Sequence, residues 1–295
     1  MKTGLISFSD TSPGVLQLIE SLITGLLSHR FEVSSIYLNE EKNKIEICEY
    51  ALSQLKDFAY LRLHSSPLPR NTMLLEKACQ DFGRVLFIGG NETNEVFERI
   101  TQKMPNKDFL FVPISAYNDI VGDEGSLGYD TAINNITEEV LKIQDTINSL
   151  KYPHPRLFGI RLLGKAPRKM FEDLALATGG EFLEKNNRQQ AKAVETSLTQ
   201  KFFAGTTYSF LFFDETLPTD FSARHVFEDL QVDWKKHEID PLVSFGAYPS
   251  ATDRILAKKL AGEAVSWLKE RKGTGKLTVG HETVGFAERK NYHKV

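Results

Sequence analysis

Phe109 to Asn135 reads FLFVPISAYNDIVGDEGSLGYDTAINN. It opens with an apolar run, Phe109 to Val112, that has the length and composition of a buried strand and is closed by Pro113. A polar loop follows, carrying Asn118, Asp119, Asp123, Glu124 and Ser126. From Tyr129 onward apolar residues recur at steps of three and four: Ile133, Ile136, Val140, Ile143, Ile147 and Leu150. That spacing predicts a helix. A strand, an acidic loop at its carboxyl end and a helix form the unit in which an open α/β sheet places its ligands. A chain built around this stretch is therefore expected to fold as a parallel sheet covered by helices.

The preceding residues repeat the pattern. Gly4–Phe8 reads as a first buried strand, Ser9–Gly14 as a tight turn, and Val15, Leu18, Ile19, Leu22, Ile23 and Leu26 as one face of a helix. Unpaired backbone N–H groups at such a junction suit a phosphate, although an ordinary strand–helix connection explains the turn as well. Glu32–Leu38 and Arg84–Ile88 read as further strands. The second leads into Gly89-Gly90-Asn91-Glu92-Thr93 and a helix over Asn94–Met104. Between them Glu46–Phe58 is expected to be helical, Tyr60–Leu63 a short strand and Met73–Phe82 a helix.

Lys151–Pro155 (KYPHP) reads as a joint between domains. Beyond it, Arg156–Lys165 is a strand with a glycine turn, Pro167–Thr178 a helix, and Arg188–Phe202 another. Tyr208–Phe213 is an apolar strand ending in Asp214 and Glu215. Phe221–Leu230 is expected to be helical and Trp234–Asp240 a charged connection. A last helix runs to about Lys269, a strand lies near Leu277–Val279, and Glu282–Val295 is expected to be a loose tail.

The chain has 295 residues, room enough for two compact domains. A net charge of −3 offers nucleic acid or a membrane surface no electrostatic attraction. The most apolar helical stretch, Leu16–Leu27, is interrupted by Glu20 and is too short to span a bilayer. Two cysteines, Cys48 and Cys79, and no visible signal peptide predict a cytoplasmic protein. No His, Cys and carboxylate cluster has metal spacing, and the seven histidines are scattered.

Two blocks carry a family resemblance. The first is P-x-[ST]-x-x-N-D-I followed by [SL]-G-[FY]-D-T-A-x-N, within residues 113–134. The second lies in Leu242–Ala257, where Pro249, Asp253, Arg254, Leu256 and Ala257 match in register. Together they resemble bacterial-type ATP-dependent 6-phosphofructokinases. The resemblance implies two Rossmann-like α/β/α lobes with a cleft between them. The larger, nucleotide-side lobe would be residues 1–150 plus 253–295, and the smaller, sugar-phosphate-side lobe residues 151–252.

The resemblance also implies roles, and several positions depart from them. The family's catalytic loop reads T-I-D-N-D, its first aspartate acting as the base; here Tyr117 stands there, with Asp119 the retained second carboxylate and Ser115 beside it. An unperturbed phenol, with a pKa of about 10, is protonated at neutral pH. On the nucleotide side Gly14, Gly89, Gly90 and Thr93 remain, but Ser9, Asp10 and Thr11 replace G-G-D. Asn91 replaces a metal-directing aspartate, Glu92 a glycine, and Pro67 an arginine. On the sugar side Arg156, Lys165, Glu215 and Arg254 correspond to phosphate- and hydroxyl-binding residues, while Phe245 replaces a further arginine. Glu20 and Thr24 replace effector-site arginines.

The expectation is a protein of impaired kinase activity that binds a phosphosugar or serves as a regulatory subunit, in a homo- or hetero-oligomer of similar chains. The alternatives are an active 6-phosphofructokinase using Asp119 as base or metal ligand, with Mg²⁺ and ATP, or a structural partner of one. No cofactor and no dedicated metal site is expected under the leading reading.

Overall fold

The computed structural model describes residues 2–8, 12–39, 42, 44–51, 72–120, 124–148, 153–164, 166–184, 187–217, 227, 230–246, 248–280 and 283–289. They form two compact units, Met1–Asp130 with Tyr248–Val295, and Thr131–Ala247. The turn over Ser9–Thr11, the strand at 60–63, Pro67, Lys165 and most of the helix expected at 221–230 lie outside the described residues.

In the first unit β1 (Lys2–Ser7), α1 (Val15–Ser28), β2 (Glu32–Asn39), β3 (Lys44–Tyr50), α2 (Met73–Cys79), β4 (Arg84–Gly89), α3 (Asn91–Lys103) and β5 (Asp108–Pro113) follow in order. After α4 (Tyr129–Asn148), the second unit contains β6 (Arg156–Leu162), α5 (Arg168–Thr178), β7 (Glu181–Phe182), α6 (Arg188–Phe203), β8 (Tyr208–Asp214), β9 (Asp233–Ile239) and α7 (Pro241–Phe245). The chain then completes the first unit with α8 (Ala251–Lys269), β10 (Gly275–Val279) and β11 (Val284–Glu288).

The first unit's sheet has the order β11-β10-β5-β4-β1-β2-β3, parallel except at its two edges. Alternation along each strand divides the apolar runs between two faces. Leu86, Ile88, Leu110 and Val112 pack with α1 and α8, whereas Val85, Phe87, Phe109 and Phe111 pack with α2 and α3. Phe97 of α3 meets Phe87 and Phe111 at centroid distances of 5.7 Å each, which locks that helix to the sheet. The second unit's sheet, β7-β8-β6-β9, is parallel throughout.

Three expectations need correction, and all concern sheet edges. Lys44–Tyr50 is strand β3, antiparallel to β2, not the start of a helix. Asp233–Ile239 is strand β9, parallel to β6, not a connection; Trp234 stacks on Phe213 at 6.3 Å while Lys235 to Glu238 face solvent. Val284–Glu288 of the supposed tail is strand β11, antiparallel to β10. Edge strands bury little and carry charge that discourages edge-to-edge pairing, so their apolar signal is weak. Helix α3 also starts three residues earlier than its apolar pattern, at Asn91.

The β2–β3 hairpin is fastened by side chains. Glu46 accepts hydrogen bonds from Tyr37 Oη at 2.8 Å, Lys42 Nζ at 3.0 Å and Asn39 Nδ2 at 3.2 Å. The Tyr37 hydroxyl, then Lys42, lowers the Glu46 pKa to about 2, and the same bond raises that of Tyr37 to about 12. A depressed carboxyl pKa stabilises the fold fully above the ordinary carboxylate range, and this stabilisation is lost as pH falls through about 2. We expect Tyr37→Phe to move the Glu46 titration upward, as followed by ¹³C-carboxyl NMR. A midpoint left near 2 would assign the depression to Lys42 instead.

Candidate functional site

The turn after β4 and the loop after β5 lie side by side, because their strands are paired in parallel with Gly89 opposite Pro113. Ile114 N donates to Gly89 O at 3.0 Å. A Cβ on Gly89 would stand 2.0 Å from Oγ1 of the buried Thr93, so the packing of that side chain already requires glycine there. Gly90 is the N-cap of α3, with no side-chain cap, and Glu92 is exposed in the first turn. Gly14 caps α1 at φ +86°, against Leu127 at the far end of the β5 loop. Gly89 thus has a packing reason and Gly14 a backbone reason to be glycine, whereas a Cβ at Gly90 would meet only ordinary contact, with Ile114 O at 3.5 Å.

The carboxylate of Asp119 is held from both sides. Ser115 Oγ donates to its Oδ1 at 2.5 Å, and Asn91 Nδ2 donates to its Oδ2 at 3.0 Å and to its backbone carbonyl at 3.1 Å. Ser115 Oγ in turn accepts the Tyr117 N–H at 3.1 Å. Ser115, Asp119, Asn91 and the backbone of Tyr117 are therefore one hydrogen-bonded cluster. Asn118 takes φ +53°, which re-aims the chain between Tyr117 and Asp119. Each Asp119 carboxylate oxygen thus accepts one hydrogen bond from an uncharged donor. Among the described residues no group of three His, Cys, Asp or Glu side chains could hold a metal ion.

The loop is anchored at its other end by Asp253, 1% exposed, whose Oδ1 accepts Gly128 N–H at 2.7 Å. Asp253 N–H donates to the N-cap Ser250 at 3.2 Å, so the carboxylate ties the start of α4 to the first turn of α8. Arg254 follows it, exposed on α8 in the first unit.

Arg156 and Glu215 belong to the second unit, at opposite ends of the paired strands β6 and β8. Glu215 follows β8 at the carboxyl edge, where its Oε2 accepts Gly164 N–H at 3.1 Å. Arg156 begins β6 at the amino edge, 3.2 Å from Asp233. A strand of this length holds its ends roughly 20 Å apart, so one copy of this sheet does not bring Arg156 and Glu215 to one ligand. Sequence reasoning missed Arg161, which donates to Glu238 at 3.1 Å and to Glu215 O at 3.2 Å. Lys236 and then Arg161 hold Glu238 below the usual carboxylate range. A charged residue inside the apolar strand Arg156–Leu162 was the available signal.

Comparison with known proteins agrees with this architecture. The phosphofructokinase family model matches residues 65–268. A Staphylococcus carnosus protein described as ATP-dependent 6-phosphofructokinase is 24% identical over 288 residues, which are 92% of this chain and 87% of that one. Among solved structures, a Pichia pastoris phosphofructokinase in the T-state superposes on 97% of this chain with a TM-score of 0.79 and 14% identity. A pyrophosphate-dependent phosphofructokinase from Marinobacter aquaeolei does so on 97% with a TM-score of 0.77 and 16% identity, over 82% of its own length. The chain spans 37% of the Pichia pastoris chain. The fold is that of phosphofructokinases. No helix among the described residues is long and apolar enough to cross a membrane.

Proposed function

The chain belongs to the phosphofructokinase family, and from that premise we propose that it is a member with impaired phosphoryl transfer, binding a phosphosugar as a regulatory subunit in an oligomer of similar chains. The observation that carries this reading is the Asn91–Asp119 contact, in which an amide donates to the carboxylate retained from the family's T-I-D-N-D motif. A kinase site needs a cradle for nucleotide and metal and a base at the acceptor hydroxyl. Asn91 neutralises the first requirement and Tyr117 the second, while the exposed Glu92 adds negative charge at the mouth of the β4 turn. The sugar side keeps Arg254, Glu215, Arg156 and, in sequence, Lys165. Arg156 sits apart from Glu215, which suits a role toward a neighbouring copy's ligand.

A coupled assay of ADP release with fructose 6-phosphate and Mg·ATP should give turnover at least about 10²-fold below the ~1–100 s⁻¹ of working kinases. Calorimetry should give no micromolar ATP site. Millimolar fructose 6-phosphate or fructose 1,6-bisphosphate should raise Tm in the wild type and not in Arg254→Ala, since a ligand of the native state stabilises it. Ordinary turnover would establish the alternative, an active enzyme using Asp119. The absence of any sugar-dependent shift would leave the protein as a structural partner.

A further inference from the structure

Within the first unit, the Leu127–Gly128 peptide joins the loop that carries Asp119 to the turn that carries Arg254. Its carbonyl accepts the Ser115 N–H at 3.2 Å, and its N–H donates to Asp253 Oδ1 at 2.7 Å. Ser115 in turn reaches Asp119 through Oγ, and Arg254 follows Asp253 in the first turn of α8. The peptide has little room to move. Leu127 is fully buried, and its Cδ1 lies 2.9 Å from where a Cβ on Gly14 would stand. Gly128 is buried at φ +103°, and a Cβ there would stand 3.0 Å from Pro13 Cδ. The middle of the loop is held separately, by Glu124 and Gly125 N–H groups donating to Val279 O at 2.9 and 3.4 Å.

A carboxylate is an expensive group to bury, and Asp253 is 1% exposed. What it gives in return is strength of acceptance, since a charged acceptor holds an N–H about twice as strongly as a neutral one. The N–H and C=O of one peptide share a resonance system. Bonding the Gly128 N–H to a carboxylate therefore makes the Leu127 carbonyl a better acceptor for Ser115. A swing of this peptide breaks both bonds together, which loosens Ser115 and with it one side of the Asp119 carboxylate.

We propose that Asp253 is a positioning residue that couples Arg254 to Asp119, so that a phosphate group engaging Arg254 is felt at the carboxylate of the β5 loop. The coupling deepens the phosphosugar reading and rests on it for the group that reaches Arg254; the peptide link between the two elements does not depend on that reading.

Amide hydrogen exchange and a sugar titration, both followed by NMR on the full-length protein, test this. Asp253→Asn keeps the shape and an acceptor oxygen but removes the charge. It should speed exchange of the Gly128 and Ser115 amides by the same factor, about five- to tenfold, the difference between a charged and a neutral acceptor. Ser250→Ala removes the hydroxyl that accepts the Asp253 N–H. It should lower Tm and leave both exchange rates as they are, which separates the carboxylate from general weakening of α8. Fructose 1,6-bisphosphate should move the Arg254 Nε–H and Ser115 amide resonances along one saturation curve in the wild type. In Asp253→Asn the Arg254 response should remain and the Ser115 response should be lost. If Asp253→Asn does not fold, the wild type decides, because Ser115 and Gly128 should show equal protection and unequal protection would break the link. The proposal is overturned if Asp253→Asn speeds Gly128 alone, if Ser250→Ala speeds Ser115 as much, or if Ser115 still follows Arg254 in Asp253→Asn. No Arg254 response in the wild type would overturn the phosphosugar reading instead, and the coupling would then stand or fall on the exchange rates.

Discussion

Tyr117→Asp alone is expected to leave fructose 6-phosphate phosphorylation within about tenfold of the wild-type background, whereas Tyr117→Asp with Asn91→Asp should raise it by about 10²-fold or more. The first change restores a base, and an aspartate is ionised where a phenol is not. It leaves Asp119 bonded to Ser115 and to the Asn91 amide, so nothing is gained at the phosphates. The second change places a carboxylate where Nδ2 now lies 3.0 Å from Asp119 Oδ2. Two carboxylates at that distance repel unless a cation or a proton stands between them. Asn91→Asp should therefore lower Tm in chelator and recover it with millimolar Mg²⁺, a response the wild type should lack. Parts that work as a unit give non-additive gains, which is why the pair exceeds the sum of its members. Turnover near ~1–100 s⁻¹ from Tyr117→Asp alone would show that the nucleotide side was never the obstacle. Equal Mg²⁺ responses in wild type and Asn91→Asp would show that the amide does not exclude the ion.

The largest stability loss is expected at Arg84, far from that loop. Its side chain is 6% exposed, lies 4.8 Å from the centre of the Trp267 ring and donates to Asp108 at 3.0 Å. It also donates to the carbonyls of Trp267 at 3.1 Å and Leu268 at 3.5 Å, in the last turn of α8. Helix C-termini leave carbonyls unpaired, and a buried guanidinium satisfies two of them at once here. Arg84→Met keeps most of the apolar stem but strands the Leu268 carbonyl and the buried side of Asp108, while the Trp267 carbonyl keeps the Lys272 N–H at 3.2 Å. The cost should be about 3 kcal/mol, hence a Tm lower by roughly 6–12 °C. Asp108 is 41% exposed, so water can replace its half of the pair. Asp108→Asn should accordingly cost far less than Arg84→Met in the same thermal melt. Equal losses would mean that the ion pair, rather than the helix cap, is what Arg84 supplies.

Local sequence was sufficient for whatever is decided by a few neighbouring residues. The runs at Arg84–Ile88 and Phe109–Val112 are apolar, strand-length, rich in Phe, Val and Ile and closed by Gly89 and Pro113, which favours a strand over a helix. Which of their residues face α1 and α8 and which face α2 and α3 was decided by the packed structure, since both faces of these strands are apolar. Gly14, Pro113 and the Asp119 loop were legible in sequence, since a turn is a local event. The edge strands were not: Lys44–Tyr50 and Asp233–Ile239 bury one face or less, and their pairing energy comes from backbone partners that their side chains do not announce. Contacts across long loops were also invisible. Asn91 meets Asp119 because β4 and β5 pair in register, Gly128 meets Asp253 across 125 residues, and Arg84 meets the end of α8 across 183. A substitution such as Asn91 reads in sequence as a lost charge. Only the packed sheet turns it into a hydrogen bond that occupies the remaining carboxylate, because hydrogen bonding depends on distance in space and sequence records distance along the chain.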